Sequence, residues 1–369
     1  MNNSFPGALP GSFPGSQTGS DSHSMSQLMS SVMELPALDE LENQQRVYRR
    51  WFIAGGAGFI GSHFTDRLLA DPNVTRVTLF DNFSSGREWH YEHHKEDARL
   101  KIVRGEIADE LALHTAMADH DAVIHLASNP DIARAVKDPD VDFREGTMLT
   151  RAILEAMRIH GVGRILYASG SGVYGDLGTH EAREDHGPLL PISTYGASKL
   201  AGEALIHSYC YMFGLTGCAF RFGNVVGPRQ THGVGFDFIH QLMDHPRELR
   251  ILGDGTQSKS YIHVEDVVQA VMLAHEVSTQ PFQIYNVATG DYITVNEIGR
   301  IAAETLGLNP DRVEIAHSGG DRGWKGDVPV VRLDTARIRS TGWSCQRPTA
   351  EALRDSMLAL LADAQISRL

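Results

Sequence analysis

Ser193-Thr-Tyr-Gly-Ala-Ser-Lys199 sets a phenol and an ammonium group four residues apart. On a helix that spacing puts Tyr195 and Lys199 on one face, one turn apart. A free tyrosine ionises near pH 10 and is a poor base at neutral pH. A cation held beside it favours the phenolate and makes the tyrosine a usable proton acceptor. The pair gains meaning only from what surrounds it, because Tyr-x3-Lys is common on helix surfaces.

A second stretch supplies that context. Trp51-Phe-Ile-Ala-Gly-Gly-Ala-Gly-Phe-Ile-Gly-Ser-His63 runs from a short apolar segment into Gly55, Gly56, Gly58 and Gly61, then into helically spaced apolar residues from Phe59 to Leu69. Strand, glycine turn and helix together make a cradle for a dinucleotide diphosphate. The glycines allow the tight turn, backbone approach and close packing, and the new helix presents its N–H groups and positive dipole end. The next apolar run, Arg76-Val-Thr-Leu-Phe-Asp81, ends in an acid 26 residues after Gly55. A carboxylate there accepts both adenosine ribose hydroxyls and repels a 2′-phosphate, which favours NAD over NADP. Its competing role is to cap a turn. With NAD⁺ bound, the positive nicotinamide ring adds to Lys199 in favouring the Tyr195 phenolate, and Lys199 is placed to hydrogen-bond the nicotinamide ribose.

The elements that must position these groups follow a strand–helix rhythm from Arg46 onward. Strands are expected near 50–54, 76–81, 100–104, 121–127, 164–169 and 216–222, and helices near 58–70, 109–118, 141–160 and 193–213. This is the pattern of an α/β fold, a Rossmann-type doubly wound parallel sheet with its ligand crevice at the C-terminal strand ends. The NAD-binding domain is expected over residues 46–225. After Gly227-Pro-Arg the rhythm loosens into short strands (250–253, 259–264, 283–287, 313–315) and helices near 234–244, 265–277, 294–306 and 349–363. Residues 226–369 therefore read as a smaller mixed α/β substrate domain, part of which returns to the main sheet.

Composition sets bounds. The chain has 369 residues, 42% apolar, with a net charge of −13, which disfavours nucleic acid or an anionic membrane as partner. Its three cysteines, Cys210, Cys218 and Cys345, lack metal-ligand spacing, and the odd count fits a reducing compartment. No apolar run reaches membrane-spanning length. Residues 1–45 are rich in Ser, Gly, Pro, Asn and Met, fit neither a secretory nor a mitochondrial leader, and are expected to be a flexible tail, with a short helix over Ser26 to Leu35. A cytoplasmic location is expected.

Taken in order, Gly55-Gly-Ala-Gly-Phe-Ile-Gly61, Asp81-Asn82, Val123-Ile-His-Leu-Ala127, Val173-Tyr-Gly175, Tyr195-x3-Lys199, Arg221-Phe-Gly-Asn224, Gly227-Pro-Arg229 and Tyr261-Ile-His-Val-Glu-Asp266 resemble the extended short-chain dehydrogenase/reductases that act on nucleotide sugars. The likeness covers roughly residues 48 to 363 and is greatest to the UDP-glucose 4-epimerase branch. It implies bound NAD⁺, a nucleotide-sugar substrate and a homodimer. It also implies a transient oxidation, usually at the sugar C4, with Tyr195 taking the hydroxyl proton and the hydride later returning to the other face. Gly55, Gly58, Phe59, Ile60 and Gly61 would then line the cofactor groove with Asp81, Asn82, Glu106, Ile107, Leu126, Ala127 and Lys199. Asn129, Asn224, Arg229, Lys259, Arg322 and Lys325 would face the substrate.

Four departures from the family pattern matter. The Ser or Thr that relatives carry four residues before the tyrosine of Val-Tyr-Gly is Gly170 here, so Ser171, or else Ser169, must supply the hydroxyl, unless both only satisfy turn backbone. Dehydrating relatives carry an Asp-Glu pair where this chain has Ser171 and Gly172, and decarboxylating relatives carry a Glu at Gly172. Lys259 stands at a diphosphate-clamping arginine, keeping the charge but losing the bidentate fork. Trp324 stands at another arginine, with Arg322 and Lys325 as candidate replacements and the indole placed to stack on a base or sugar. In the loop Ser128-Asn-Pro-Asp-Ile132, Asn129 or Asp131 is expected to face sugar hydroxyls, with helix capping the alternative for Asp131. His125, His232 and His263 do not form a metal set, and His125 reads as a core histidine, so no metal is expected. The reading is an NAD⁺-dependent epimerase. Its alternatives are a dehydratase or decarboxylase of the same family, or a non-catalytic NAD-binding scaffold.

Overall fold

Seven parallel strands form one sheet. They are β1 (Arg50–Ala54), β2 (Arg76–Asp81), β3 (Leu100–Arg104), β4 (Ala122–His125), β5 (Arg164–Gly170), β6 (Thr216–Phe222) and, much later in the chain, β11 (Phe282–Val287). Across the sheet they stand in the order β11-β6-β5-β4-β1-β2-β3. The structure, a computed structural model, describes residues 47–365. The tail and the helix expected over Ser26 to Leu35 lie outside the described residues.

Side chains alternate across each strand, so both sheet faces need cover. Trp51 and Ile53 of β1 join Phe64 and Leu68 of helix α1 (Phe59–Leu69) on one face. Phe52 and Ala54 belong to the other face's cluster, with Leu113 of α2 (Glu110–Met117), Ile153 of α3 (Leu149–His160) and Ile206 of α4 (Thr194–Phe213). The strand order reverses between β1 and β4. A ligand crevice forms where such a reversal splays the loops, here the glycine turn after β1 and the Ser128 loop after β4.

The later segments build three two-stranded pieces. β7 (Asn224–Val226) pairs with β10 (Tyr261–His263), β8 (Glu248–Ile251) with β13 (Glu314–His317), and β9 (Ser258–Lys259) with β12 (Ile293–Thr294). They pack with α5 (Val234–Asp244), α7 (Val295–Thr305) and α8 (Thr349–Gln365) around Phe238, Leu249, Ile298, Leu353 and Met357. Between them α6 (Val264–Val277) covers the main sheet through Val267 and Val271. No helix among the described residues is long and apolar enough to cross a membrane.

Differences from the sequence expectation have local causes. The strand expected over 121–127 stops at His125, because the N–H groups of Leu126 and Ala127 both turn to the Ala54 carbonyl. The strand expected over 259–264 is split at Ser260, whose hydroxyl bonds Thr289 at 2.7 Å. The helix expected over 141–160 contains a π-helical turn, Phe143–Met148, where Gly146 meets Ser198 of α4.

Helix α4 is tied to the sheet by charge as well as by apolar contact. Glu203 and Arg221 are 3% and 1% exposed. Their two parallel hydrogen bonds measure 3.0 and 2.7 Å, and Ser169 Oγ donates to the same carboxylate at 2.5 Å. Glu203→Ala leaves the Arg221 guanidinium buried and unpaired, so unfolding free energy should fall by about 3–5 kcal/mol. Urea denaturation of the two proteins measures this, and a loss below about 1 kcal/mol contradicts it.

Candidate active site

The glycine turn is built for close approach of something other than side chains. Gly55 sits at φ +79°, and a Cβ there would lie 2.8 Å from the Ala127 nitrogen. A Cβ on Gly61 would lie 2.7 Å from the carbonyl oxygens of both Gly55 and Gly56. Helix α1 begins at Gly58 with no side-chain cap and no acidic residue in its first turn. Its leading N–H groups therefore meet no competing carboxylate, an arrangement that fits a diphosphate.

Asp81 both organises the turn and faces the crevice edge. Its carboxylate accepts from the Ala57 N–H at 2.9 Å and the Phe83 N–H at 2.8 Å, one on each oxygen. Burial pushes its pKa up against those two bonds. Each oxygen retains a lone pair, so capping the turn leaves the carboxylate able to accept a ribose hydroxyl. Nearby, Asn82 donates to Glu106 at 3.2 Å on the exposed rim, while Ile107 is buried beneath it.

Ser193 caps helix α4 by accepting from the Gly196 N–H at 3.1 Å. This orients Tyr195 and Lys199 one turn apart. Lys199 is 3% exposed, donates to the Ala168 carbonyl at 2.8 Å, and holds its nitrogen 5.5 Å from the Tyr195 ring centre. Burial lowers its pKa to about 8, with Asp142 opposing that shift. The Tyr195 phenol moves the other way from expectation. Burial raises its pKa, a hydrogen bond with Ser128 lowers it, and Asp142 raises it further. Activation by Lys199 is thus not expressed in the protein alone, because its ammonium group serves the Ala168 carbonyl and the phenol is desolvated.

Two groups in this centre escaped the sequence reading. Ser128 belongs to the loop expected to line the pocket, yet Asn129 and Asp131 drew attention there because amides and carboxylates bind sugars. Asp142, 1% exposed, accepts from Asn129 at 2.9 Å and from Thr194 at 2.6 Å. It joins the loop after β4 to the residue beside Tyr195. No motif marks an aspartate at that place, and only the fold brings it there.

Several expected roles need correction. Ser169 is not free for catalysis, since its hydroxyl is bound to Glu203. Asn129 is 3% exposed and donates to the Asp131 carbonyl and Asp142, so it braces its loop instead of presenting an amide to a sugar. Asp131 caps the following short helix by accepting from Ala133 at 3.1 Å. Arg229 lies against α1, bonded to Asp66, His63 and the His90 carbonyl, and is committed there instead of to a substrate. His125, by contrast, is the core histidine expected: it is buried and bonded to Thr150 through Nε2 at 3.0 Å, while its Nδ1 has no partner among the described residues.

The other expected residues keep some solvent access. Asn224 is exposed at the head of β7. Lys259 pairs with Asp327 at 2.5 Å, and Arg322 with Asp321 and Asp176 at 3.0 and 3.5 Å. Lys325 is exposed. The loop bearing Arg322 and Lys325 reaches the N-cap of α4, since a Cβ on Gly326 would lie 3.2 Å from Ser193 Cβ. Ser171 is partly exposed with no hydrogen bond to another described side chain, and a Cβ on Gly170 would meet nothing within 4 Å. Glycine at 170 is therefore not forced by packing.

The chain is similar in sequence and fold to known proteins. A family model described as the NAD dependent epimerase/dehydratase family matches residues 51–288. The UDP-glucose 4-epimerase of Mycolicibacterium smegmatis is 33% identical over 311 residues, covering 82% of this chain and 96% of its own. A dTDP-glucose 4,6-dehydratase of an Actinoplanes species is 32% identical over 288 residues, covering 76% and 89%. The crystal structure of the Thermus thermophilus UDP-glucose 4-epimerase in complex with NAD superposes with a TM-score of 0.74 at 30% identity, covering 85% of this chain and 99% of that one.

Replacing Lys199 by Met removes a buried charge, so at pH 7 the variant should melt no lower than wild type. The folded-state pKa of Lys199, about 8, lies below its unfolded value of 10.5. Between those limits the unfolded chain binds more protons, so wild-type stability rises with pH. The variant's advantage should then be greatest at pH 7 and shrink by pH 9.5. Melting curves at both pH values, taken without cofactor, read this directly, and an advantage that grows with pH refutes it.

Proposed function

The chain belongs to the NAD-dependent epimerase/dehydratase family, and from that premise we propose that it is a nucleotide-sugar epimerase acting at the sugar C4. The cofactor is NAD, held by the glycine turn, the leading N–H groups of α1 and Asp81. When bound, it supplies the acceptor to which the sugar carbon gives a hydride and from which that hydride returns.

The protein's own groups move the proton and fix the geometry. Tyr195 takes the proton from the reacting hydroxyl as the carbinol becomes a ketone, and gives it back on reversal. Lys199, anchored by the Ala168 carbonyl, keeps a positive charge under the phenol once a cationic ring and a substrate hydroxyl complete the site. Ser128, whose hydroxyl favours ionisation of the phenol, takes the role of the hydroxyl missing at Gly170, with the partly exposed Ser171 the alternative. Segments after residue 226, with Asn224, Lys259, Arg322, Lys325 and Trp324, are assigned to the nucleotide diphosphate.

One observation carries the choice of epimerisation over elimination of water. Elimination needs a free acid and a free base beside the sugar ring. The loop that supplies them in dehydrating relatives offers Ser171 and Gly172 here. The two buried carboxylates of the elements around Tyr195 are already engaged: Asp142 by Asn129 and Thr194, and Glu203 by Arg221 and Ser169. That supports a reaction needing only reversible oxidation.

Purified protein offered UDP-, GDP-, ADP-, CDP- and dTDP-sugars should invert one carbon of one of them without net NADH. Loss of water or carbon dioxide from the product would contradict the assignment. Tyr195→Phe should lower turnover by about 10²–10⁴-fold while NAD stays bound. Ser128→Ala should cost roughly tenfold or more in kcat and exceed the effect of Ser171→Ala. The reverse order would return the role to Ser171.

A further inference from the structure

Away from Tyr195, α1 and the segment Glu88–His94 place three ligand-type side chains around one point. His93 Nε2 and His94 Nε2 each approach Asp66 Oδ1 at 2.8 Å. All three ligand atoms lie within 4.8 Å of one another. The side chains are 48%, 23% and 35% exposed in the order His93, His94, Asp66, so the cluster opens to solvent.

We propose that Asp66, His93 and His94 bind one divalent transition-metal ion of the zinc class. Two imidazoles and one carboxylate suit that class and not magnesium or calcium, which take oxygen ligands. Donor atoms around a tetrahedral zinc at about 2.0–2.1 Å stand roughly 3.3 Å apart. The two 2.8 Å separations from Asp66 Oδ1 would need to open by about half an ångström, with the two imidazole nitrogens within 4.8 Å of each other. The outer shell is also in place. Arg229 donates to Asp66 Oδ2, the oxygen that the histidines do not approach, which orients the carboxylate to offer Oδ1. Its positive charge weakens cation binding somewhat, so the affinity should be modest for such a ligand set. Solvent completes the coordination on the exposed side.

The ion would clamp two elements that already meet at the glycine turn. The Ala57 carbonyl accepts from the Arg87 N–H at 3.0 Å and from His90 Nδ1 at 2.7 Å. Ala57 N–H in turn donates to Asp81. Fastening His93 and His94 onto α1 therefore stabilises the segment that backs the adenosine end of the cofactor groove. The site takes no part in the reaction at Tyr195.

The test uses tag-free full chain stripped with a chelator and titrated with ZnCl₂ at pH 7.5. One ion should bind per chain, and the melting temperature should rise by about 4 °C at a hundredfold excess over Kd. His93→Gln/His94→Gln should lose that ion, with Kd weakened at least thirtyfold, and should melt within a degree or two of metal-free wild type. Zinc-edge X-ray absorption of the wild-type protein should report two imidazole ligands with oxygen for the remainder. No stoichiometric uptake, binding that survives the double substitution, or a ligand set without two imidazoles would overturn the proposal.

Discussion

Glu203 is the carboxylate on which the placement of the reacting groups depends. It lies one helical turn beyond Lys199, as Lys199 lies one turn beyond Tyr195, so the three share a face of α4. That face would slide against the sheet if apolar packing alone held it. The bidentate bond from Arg221 of β6 and the hydroxyl of Ser169 in β5 fix it at a single register. Arg221 is itself held in place, stacked 4.7 Å from the Tyr174 ring centre, while the Tyr174 hydroxyl donates to Asn286 of β11 at 2.7 Å. A chain of buried polar contacts thus runs from the reacting helix across β5 and β6 to the last strand of the sheet. Such a buried pair adds little net stability, but it excludes other arrangements, because any shift leaves a charge unpaired in the interior.

The same burial determines the chemistry. In the protein alone the Tyr195 phenol is held protonated and Lys199 is easier to deprotonate than a free lysine. Both shifts come first from loss of water. Under the proposed mechanism the phenol becomes a base only when a cation and an acceptor complete the site, which would confine proton transfer to the loaded state. Asp142 ties the two halves of that centre together. It links the Ser128 loop, which touches the phenol, to Thr194, which precedes Tyr195 in the chain. Its negative charge also opposes premature ionisation of the phenol.

Much of this was legible in the residues themselves. The six strands from Arg50 to Phe222 and the helices between them follow from apolar periodicity broken by glycines, and the glycine turn and Tyr-x3-Lys lie where that pattern places them. What the pattern could not give is which polar groups are already engaged. Ser169 and Asn129 look like free hydrogen-bonding groups, yet Glu203 and Asp142, distant in sequence, take them. Arg229 looks like a phosphate ligand, yet it serves Asp66 on α1. The motif Tyr261-Ile-His-Val-Glu-Asp266 has a similar hidden purpose. Asp266 receives the N–H groups of Gln346 and Arg347 and so fastens the chain leading to α8. These partnerships span from 13 to 163 residues, and side-chain type is silent about them.

In the proposed reaction a hydride leaves one sugar carbon and returns to that same carbon within a single site. A nucleotide sugar deuterated at C4 measures this directly, by locating the label in the product after equilibration. Epimerisation at C4 keeps the deuterium at C4 of the inverted sugar. Label found at C6, or lost to solvent, would contradict it.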